Sequence, residues 1–308
     1  MFKKTLIAAA VATMASSVAM ADVKIGGKVE QQQQKSEAGE WSGWSDVRLT
    51  VSGDEDLGNG MSAFFMFQDE MGLRTGAGTQ QYDQLVGLKS SAGTLIMGKV
   101  EDFTESKVMS MTDKTMGAGG VEIGANLGRN EGAIAYVSPS FSGLTVGVAG
   151  YALSDSGGDQ DAFDAVDLGL MYSNGPLSVN VAFENDKRAA TAATAATAAF
   201  HSGDSKSIGA SYAMGDMTVA ATFQTTEFDT AGKADEDDTS IALTYAMGNN
   251  KLVLGWNDNE TSAAAVVTDT NSNVIELQHS FSKHTAAYVN FYNSDVADAD
   301  TTSFGLQH

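Results

Sequence analysis

The sequence predicts an all-β chain: a sixteen-stranded antiparallel transmembrane β-barrel with an inward-folded constriction loop. Three observations predict it. Apolar and polar residues alternate in short runs from end to end. No later stretch stays apolar for the ~18–20 residues that a spanning helix needs. Connections between the runs alternate between short turns and long polar stretches, the pattern of outer-membrane barrels.

The chain has 308 residues, a formal charge of −21, no cysteine, two prolines and 33 glycines. Such a length suits one large β domain or two small ones. The lack of cysteine excludes thiol catalysis and cysteine-ligated metal, and fits passage through an oxidising compartment. An acidic excess repels phosphate, so nucleic acid is not an expected partner. Lys3 and Lys4 precede an apolar stretch from Leu6 to Val11, continued weakly by Met14 and Val18. Ala19-Met20-Ala21 then supplies a small-x-small cleavage pattern before Asp22. Together these predict an export signal over residues 1–21 and a barrel domain over residues 22–308.

The strands follow in order. Near residues 23–32, Val23, Ile25 and Val29 oppose Lys24, Lys28 and Glu30. Near 44–53, Val47, Leu49 and Val51 oppose Asp46, Arg48, Thr50 and Ser52. Further strands are expected near 61–70, 82–90, 93–100, 132–138 and 143–153. Alternation is clear again at Val166, Leu168, Leu170 and Tyr172 (163–173) and at Leu177, Val179, Val181 and Phe183 (176–185). It continues through Ile208, Ala210 and Tyr212 (205–214), a strand near 216–226, and Ile241, Leu243 and Tyr245 (238–247). The last four are expected near 251–258, 273–281, 284–294 and 301–308. A side-chain period of two gives each strand one apolar and one polar face.

A soluble sandwich would show the same period, with its apolar faces turned inward. The connections favour the barrel. Short turns fall at residues 57–60, 138–140, 174–176, 214–216, 248–250 and 282–284, with longer polar stretches at 154–161, 230–238 and 258–273 between them. Aromatic residues gather near strand ends (Phe141, Tyr151, Tyr172, Tyr212, Tyr245, Trp256, Phe281, Tyr288, Phe291), as expected of an interfacial girdle. Sixteen is an even number, as antiparallel closure requires, and closure leaves no strand edge facing lipid.

One interval breaks the rhythm. Residues 99–120 show no alternation and carry Glu101, Asp102, Glu105, Lys107, Asp113 and Lys114 among methionines. A connection this long is usually functional, and folded into the lumen it would narrow the pore where field is focused. The Ala-Ala-Thr repeat at 189–200 matches neither strand nor helix period and is expected in an external loop.

Several segments resemble the general Gram-negative bacterial outer-membrane porin family. Residues 47–53 (VRLTVSG) and 55–61 (EDLGNGM) resemble its second strand and first periplasmic turn. Val86-Gly87-Leu88-Lys89 and residues 93–99 (GTLIMGK) resemble the strand pair before its constriction loop, and residues 135–144 (AYVSPSFSGL) the hairpin after it. Residues 281–285 and 304–308 resemble its last hairpin. The resemblance implies a sixteen-stranded barrel, usually a homotrimer, passing ions and small hydrophilic solutes across the outer membrane. It places the inward loop on residues 99–120, with Glu101, Asp102, Glu105 and Asp113 as its acidic members. It places the facing basic wall at Arg48, Lys99 and Arg129. Tyr82-Asp83-Gln84 stands where the family often has another arginine, so the basic side is thin and the acidic total favours cations.

No enzyme activity is expected, because no paired Ser/His/Asp arrangement accompanies His201, His279, His284 or His308. No cofactor is expected either. Asp235-Glu236-Asp237-Asp238 lacks the spacing of a calcium loop and reads as a solvated external segment, so no metal site is expected. The expected function is passive diffusion through a water-filled pore with mild cation preference, and the expected partners are outer-membrane lipids, further copies of the chain and the solutes. The alternatives are a substrate-selective channel and a plugged structural or adhesin barrel.

Overall fold

A computed structural model describes residues 22–37, 41–72, 79–117, 127–152, 162–187, 203–229, 234–263 and 266–308, with residues 39, 120 and 124 between them. The expected export signal and the Ala-Ala-Thr repeat lie outside the described residues. Sixteen strands run in chain order: β1 (Lys24–Ser36), β2 (Trp41–Gly58), β3 (Met61–Gly72), β4 (Thr79–Ser90), β5 (Gly93–Glu101), β6 (Arg129–Val137), β7 (Leu144–Tyr151), β8 (Ala165–Asn174), β9 (Leu177–Asp186), β10 (Gly203–Met214), β11 (Met217–Phe228), β12 (Asp235–Met247), β13 (Asn250–Ala263), β14 (Val266–Ser280), β15 (Ala286–Ser294) and β16 (Thr301–Gln307). Each pairs antiparallel with its chain neighbours, and β1 meets β16 from Glu30↔Gln307 to Ser36↔Thr301, closing the barrel. Backbone amides along the paired strands thereby find partners inside the wall, which lipid requires.

Burial is inverted relative to a soluble protein. Val86, Met97, Ile275 and Phe291 are exposed, whereas Gln32, Gln224, Glu276 and Asn290 are fully buried. A sandwich would hide the first set and wet the second. The strand faces are therefore turned to lipid outside and to a polar lumen inside. Short turns join alternate strands at one end. At Asn174-Gly175-Pro176-Leu177 the strands pair up to Asn174↔Leu177, and Gly175 takes a left-handed φ of 57° that this tight turn demands.

The structure differs from the sequence expectation in three places. Residues 258–273 are not a long loop: β13 and β14 continue as a paired hairpin to Ala263↔Val266. Backbone pairing does not need apolar alternation once a strand has left the lipid, so the polar extension carried no strand signal. Residues 235–238, expected in a solvated external stretch, instead open β12 from Asp235↔Ser262, with Asp238 buried. Tyr151 and Tyr288 do not belong to a girdle. Tyr151 pairs with Ala133 and Ala165, buried in the lumen, and Tyr288 donates its hydroxyl to Gln32 Oε1 at 2.6 Å and Glu30 Oε1 at 3.0 Å, both inside.

The inner wall thins where the long β5–β6 connection enters. Inward positions on β6 to β9 include Ala133, Ala135, Gly147, Ala149, Ala165, Gly169 and Ala182, and the alanines among them are buried. Small side chains there leave room for a second layer. The connection fills it with a helical turn at Thr104–Val108, followed by a tighter one at Met109–Met111. Phe103, Val108 and Met109 pack onto the alanines as the molecule's apolar core.

Candidate functional site: the pore constriction

The inward connection is anchored along its length. At its base Phe103 lies against Gly147 and Gly169; a Cβ on Gly169 would stand 2.8 Å from the ring's Cγ. Further on, Asn180 Nδ2 donates to the Lys107 carbonyl at 2.7 Å. Thr104 and Ser207 share a hydroxyl contact at 3.2 Å, as do Thr112 and Thr222. The far end reaches β14, where the Glu276 carboxylate accepts from the Met116 and Gly117 amides, each at 2.8 Å. Gln278 donates to the Lys114 carbonyl at 3.0 Å, and Asn290 donates to Glu276 at 2.9 Å. Glu276 thus gathers donors from loop and wall into one buried latch, the kind of charge-assisted set worth roughly twice a neutral hydrogen bond each.

The loop crosses from β5 along the inner faces of β8 to β11 to β14. Its far end, at Gly117, lies against Tyr288 and Asn290 of β15 and Ser303 of β16. Below the loop, on the short-turn side, an open space of about 540 Å³ is lined by Ser106, Lys107, Ser110, Thr145, Asn180 and Ser211, among others.

Across the narrowing, the wall carries a compact ionic network. Arg48 on β2 donates through Nε to Glu70 at 2.8 Å. The Tyr82 ring on β4 lies between two guanidiniums, 3.9 Å from Arg48 and 4.3 Å from Arg129, and its hydroxyl donates to Glu70 at 3.1 Å. Arg129 on β6 pairs with Glu101, with Glu105 at 3.3 Å and with Asp83 at 3.5 Å. The side chains of Arg48 and Arg129 remain about a quarter exposed, which leaves the network in contact with lumen water.

The expected site residues fall into distinct places. Glu101 and Glu105 sit beside Arg129 on the same side of the lumen rather than facing it across a gap. Asp113 faces the open lumen; the enclosing barrel still removes enough water to push its carboxyl up, with Lys114 opposing. Asp102 does not face the lumen at all. It is fully buried behind the loop, and burial, then the Glu184 carboxylate, push its carboxyl well above the usual range. Lys99 pairs in register with Gln84, and Gln84 with Phe67, an exposed apolar side chain. The register therefore sets Lys99 on the outward face. A register shift between Gly98 and Val100 then resets the strand, so that Val100 and Glu101 turn inward.

Glu70, Tyr82, Asp83 and Glu276 were not among the expected site residues. Glu70 and Asp83 look like ordinary polar-face strand residues, and Tyr82 reaches the lumen only through the register shift between Phe67 and Asp69. Arg48 facing the lumen on β2 was the one available signal, since a buried cation implies carboxylates on neighbouring strands.

A closed barrel with polar lumen, apolar exterior and an inward loop opposite charged side chains defines the outer-membrane channel class. The sequence profile described as Gram-negative porin matches residues 8–299, and the chain belongs to that family. Its site of action is the outer membrane. It is 27% identical to outer membrane porin protein 32 of Delftia acidovorans, over 99% of this chain and 92% of that protein. It is 30% identical to an outer membrane porin protein of Bordetella pertussis over 161 residues, 44% of this chain and less than half (41%) of that relative. Among solved structures it resembles the anion-selective porin from Comamonas acidovorans, with a TM-score of 0.73 and 20% identity over 94% of this chain and 99% of that one. It also resembles OmpT of Vibrio cholerae, folded in vitro and in trimer form, with a TM-score of 0.70 and 15% identity over 92% and 97% of the two chains. At such identities the likeness is one of fold alone.

Proposed function

We propose that the chain forms a general diffusion pore for ions and small hydrophilic solutes, with a preference for cations, and that it works as a homotrimer without catalysing a reaction. One observation carries the cation preference. The two arginines of the constriction wall are each already held by carboxylates: Arg48 by Glu70, and Arg129 by Asp83, Glu101 and Glu105. Their field is spent locally, and the formal balance at the narrowing is acidic, with Asp46 and Asp113 adding to it. Charged rings of one sign select the opposite ion by attraction and by the barrier they raise against like charge. The solved anion-selective porin named above shares the fold, so fold does not set the sign; the side chains at the narrowing do. The trimer is supported by the trimer form of the Vibrio structure.

The test is the reversal potential of the purified protein in a planar bilayer under a salt gradient. Stable open channels with cation preference are expected. An anion preference would overturn the charge reading while keeping the pore, and folded protein that never conducts would favour a plugged barrel.

A further inference from the structure

Behind the constriction loop lies a second ionic cluster that the pore lining does not use. Asp102 from the loop, Asp167 from β8 and Glu184 from β9 each bring one carboxylate oxygen to within 4.8 Å of the others, and all three residues are buried. No ion pair with lysine or arginine reaches any of them among the described residues. Three carboxylates without a counter-charge repel one another strongly in a site shielded from water.

The hydrogen bonds on the outer side of the cluster are well made. Asp102 accepts from the Glu105 amide at 2.6 Å and from the Gly128 amide. Asp167 Oδ2 accepts from the Phe103 amide at 2.6 Å, and Glu184 Oε2 from the Leu127 amide at 3.2 Å. The other oxygens of the two wall residues are different. Asp167, 1% exposed, and Glu184, 6% exposed, each keep one oxygen, Oδ1 and Oε1, with no hydrogen-bond donor among the described residues. Amides therefore fix all three groups, both oxygens of Asp102 included, while Asp167 Oδ1 and Glu184 Oε1 stay without a donor.

We propose that Asp102, Asp167 and Glu184 bind one divalent hard cation of the calcium class, which ties the base of the constriction loop to the barrel wall. All donors are oxygens, which hard cations take. Atoms within 4.8 Å of one another are close enough to share one ion. Ligands on opposite sides of Ca²⁺ stand up to about 5 Å apart, whereas around Mg²⁺ the limit is about 4 Å. Mg²⁺ also keeps several of its waters and is seldom held by an all-protein cage, so a buried all-carboxylate cluster suits the larger ion. The ion enters as the loop docks, because the folded cluster is closed to solvent. The site does not include the arginines of the constriction, so its occupancy does not depend on whether the pore prefers cations or anions.

The test uses the full chain, refolded into detergent micelles in chelator and, separately, over a range of Ca²⁺ concentrations, with bound Ca²⁺ counted after free ion is removed and thermal unfolding recorded. The expected result is one saturable Ca²⁺ site per chain, with a higher unfolding temperature on binding. D167N and E184Q each abolish both effects. The exposed-segment variant D235N/D237N keeps them, which separates this site from the acidic surface. Neutralising a repelling carboxylate does not hinder folding, and two independent variants guard against either one failing. Wild-type protein that takes up no Ca²⁺, or takes up the same amount as D167N and E184Q, overturns the proposal and leaves the three carboxyls sharing protons instead.

Discussion

Arg129 is the residue on which the acidic side of the constriction hangs. It touches Asp83, Glu101 and Glu105, so Arg129→Gln would leave three carboxylates without their shared cation. The expected outcome is a higher cation-to-anion permeability ratio, read from the reversal potential, and a loss of stability below the ~3–5 kcal/mol of a fully buried pair, because water still reaches the site. Tyr82 acts on both arginines through its ring faces and on Glu70 through its hydroxyl. Tyr82→Phe keeps the stacking and should leave selectivity close to wild type. Tyr82→Ala removes two cation–π contacts of about 0.5–2 kcal/mol each and loosens both guanidiniums, which keep only their carboxylate partners. Single-channel noise should then rise, and equal traces for the two variants would show that the stacking does not hold the arginines.

The constriction loop is an element held at two ends by different physics. Its base is held by packing: Phe103 occupies a slot that exists because Gly147 and Gly169 lack side chains. Gly169→Val forces the ring out, and Phe103→Ala empties the slot at about 3–5 kcal/mol, the usual range for a core aromatic. Either change should raise single-channel conductance and expose the loop to protease cleavage. The far end is held by polar bonds. Glu276→Gln keeps the shape but weakens the bonds from the Met116 and Gly117 amides, where charged partners are worth ~1.5–3 kcal/mol each. Flickering between two conductance levels is expected, with the mean barrel melting temperature little changed. A uniform conductance in this variant would mean that packing at the base alone fixes the loop.

At the scale of the whole molecule, stability comes from the closed ladder and from matching the outer face to lipid. Leu168 points outward on β8, and its cross-strand partners Val148 and Phe183 are also exposed. Leu168→Arg should lower folding stability in lipid vesicles by roughly 2–4 kcal/mol if this height is the bilayer midplane, and less toward either interface. Thr222→Arg, on the lumen side, tests the opposite face: it should disturb the loop contact at Thr112 and the conductance rather than membrane insertion. Heat-dependent gel mobility and bilayer recordings separate the two outcomes.

The barrel was legible in the sequence because a period of two is a local property, and every pair of strands repeats it against the same two solvents. Strand number, the position of the inward connection and the lumen parity of Arg48 all follow from that repetition. What the sequence left undecided depended on breaks in the period. A shifted register at Phe67–Asp69 brought Tyr82 inward, and another at Gly98–Val100 turned Glu101 inward while leaving Lys99 in line with Phe67. The gathering of Asp102 with Asp167 and Glu184, and of Met116 with Glu276, joins residues far apart in the chain. Alternation fixes which face a side chain takes. Only the folded barrel, through shear, bulges and the path of one loop, decides which side chains meet across the lumen.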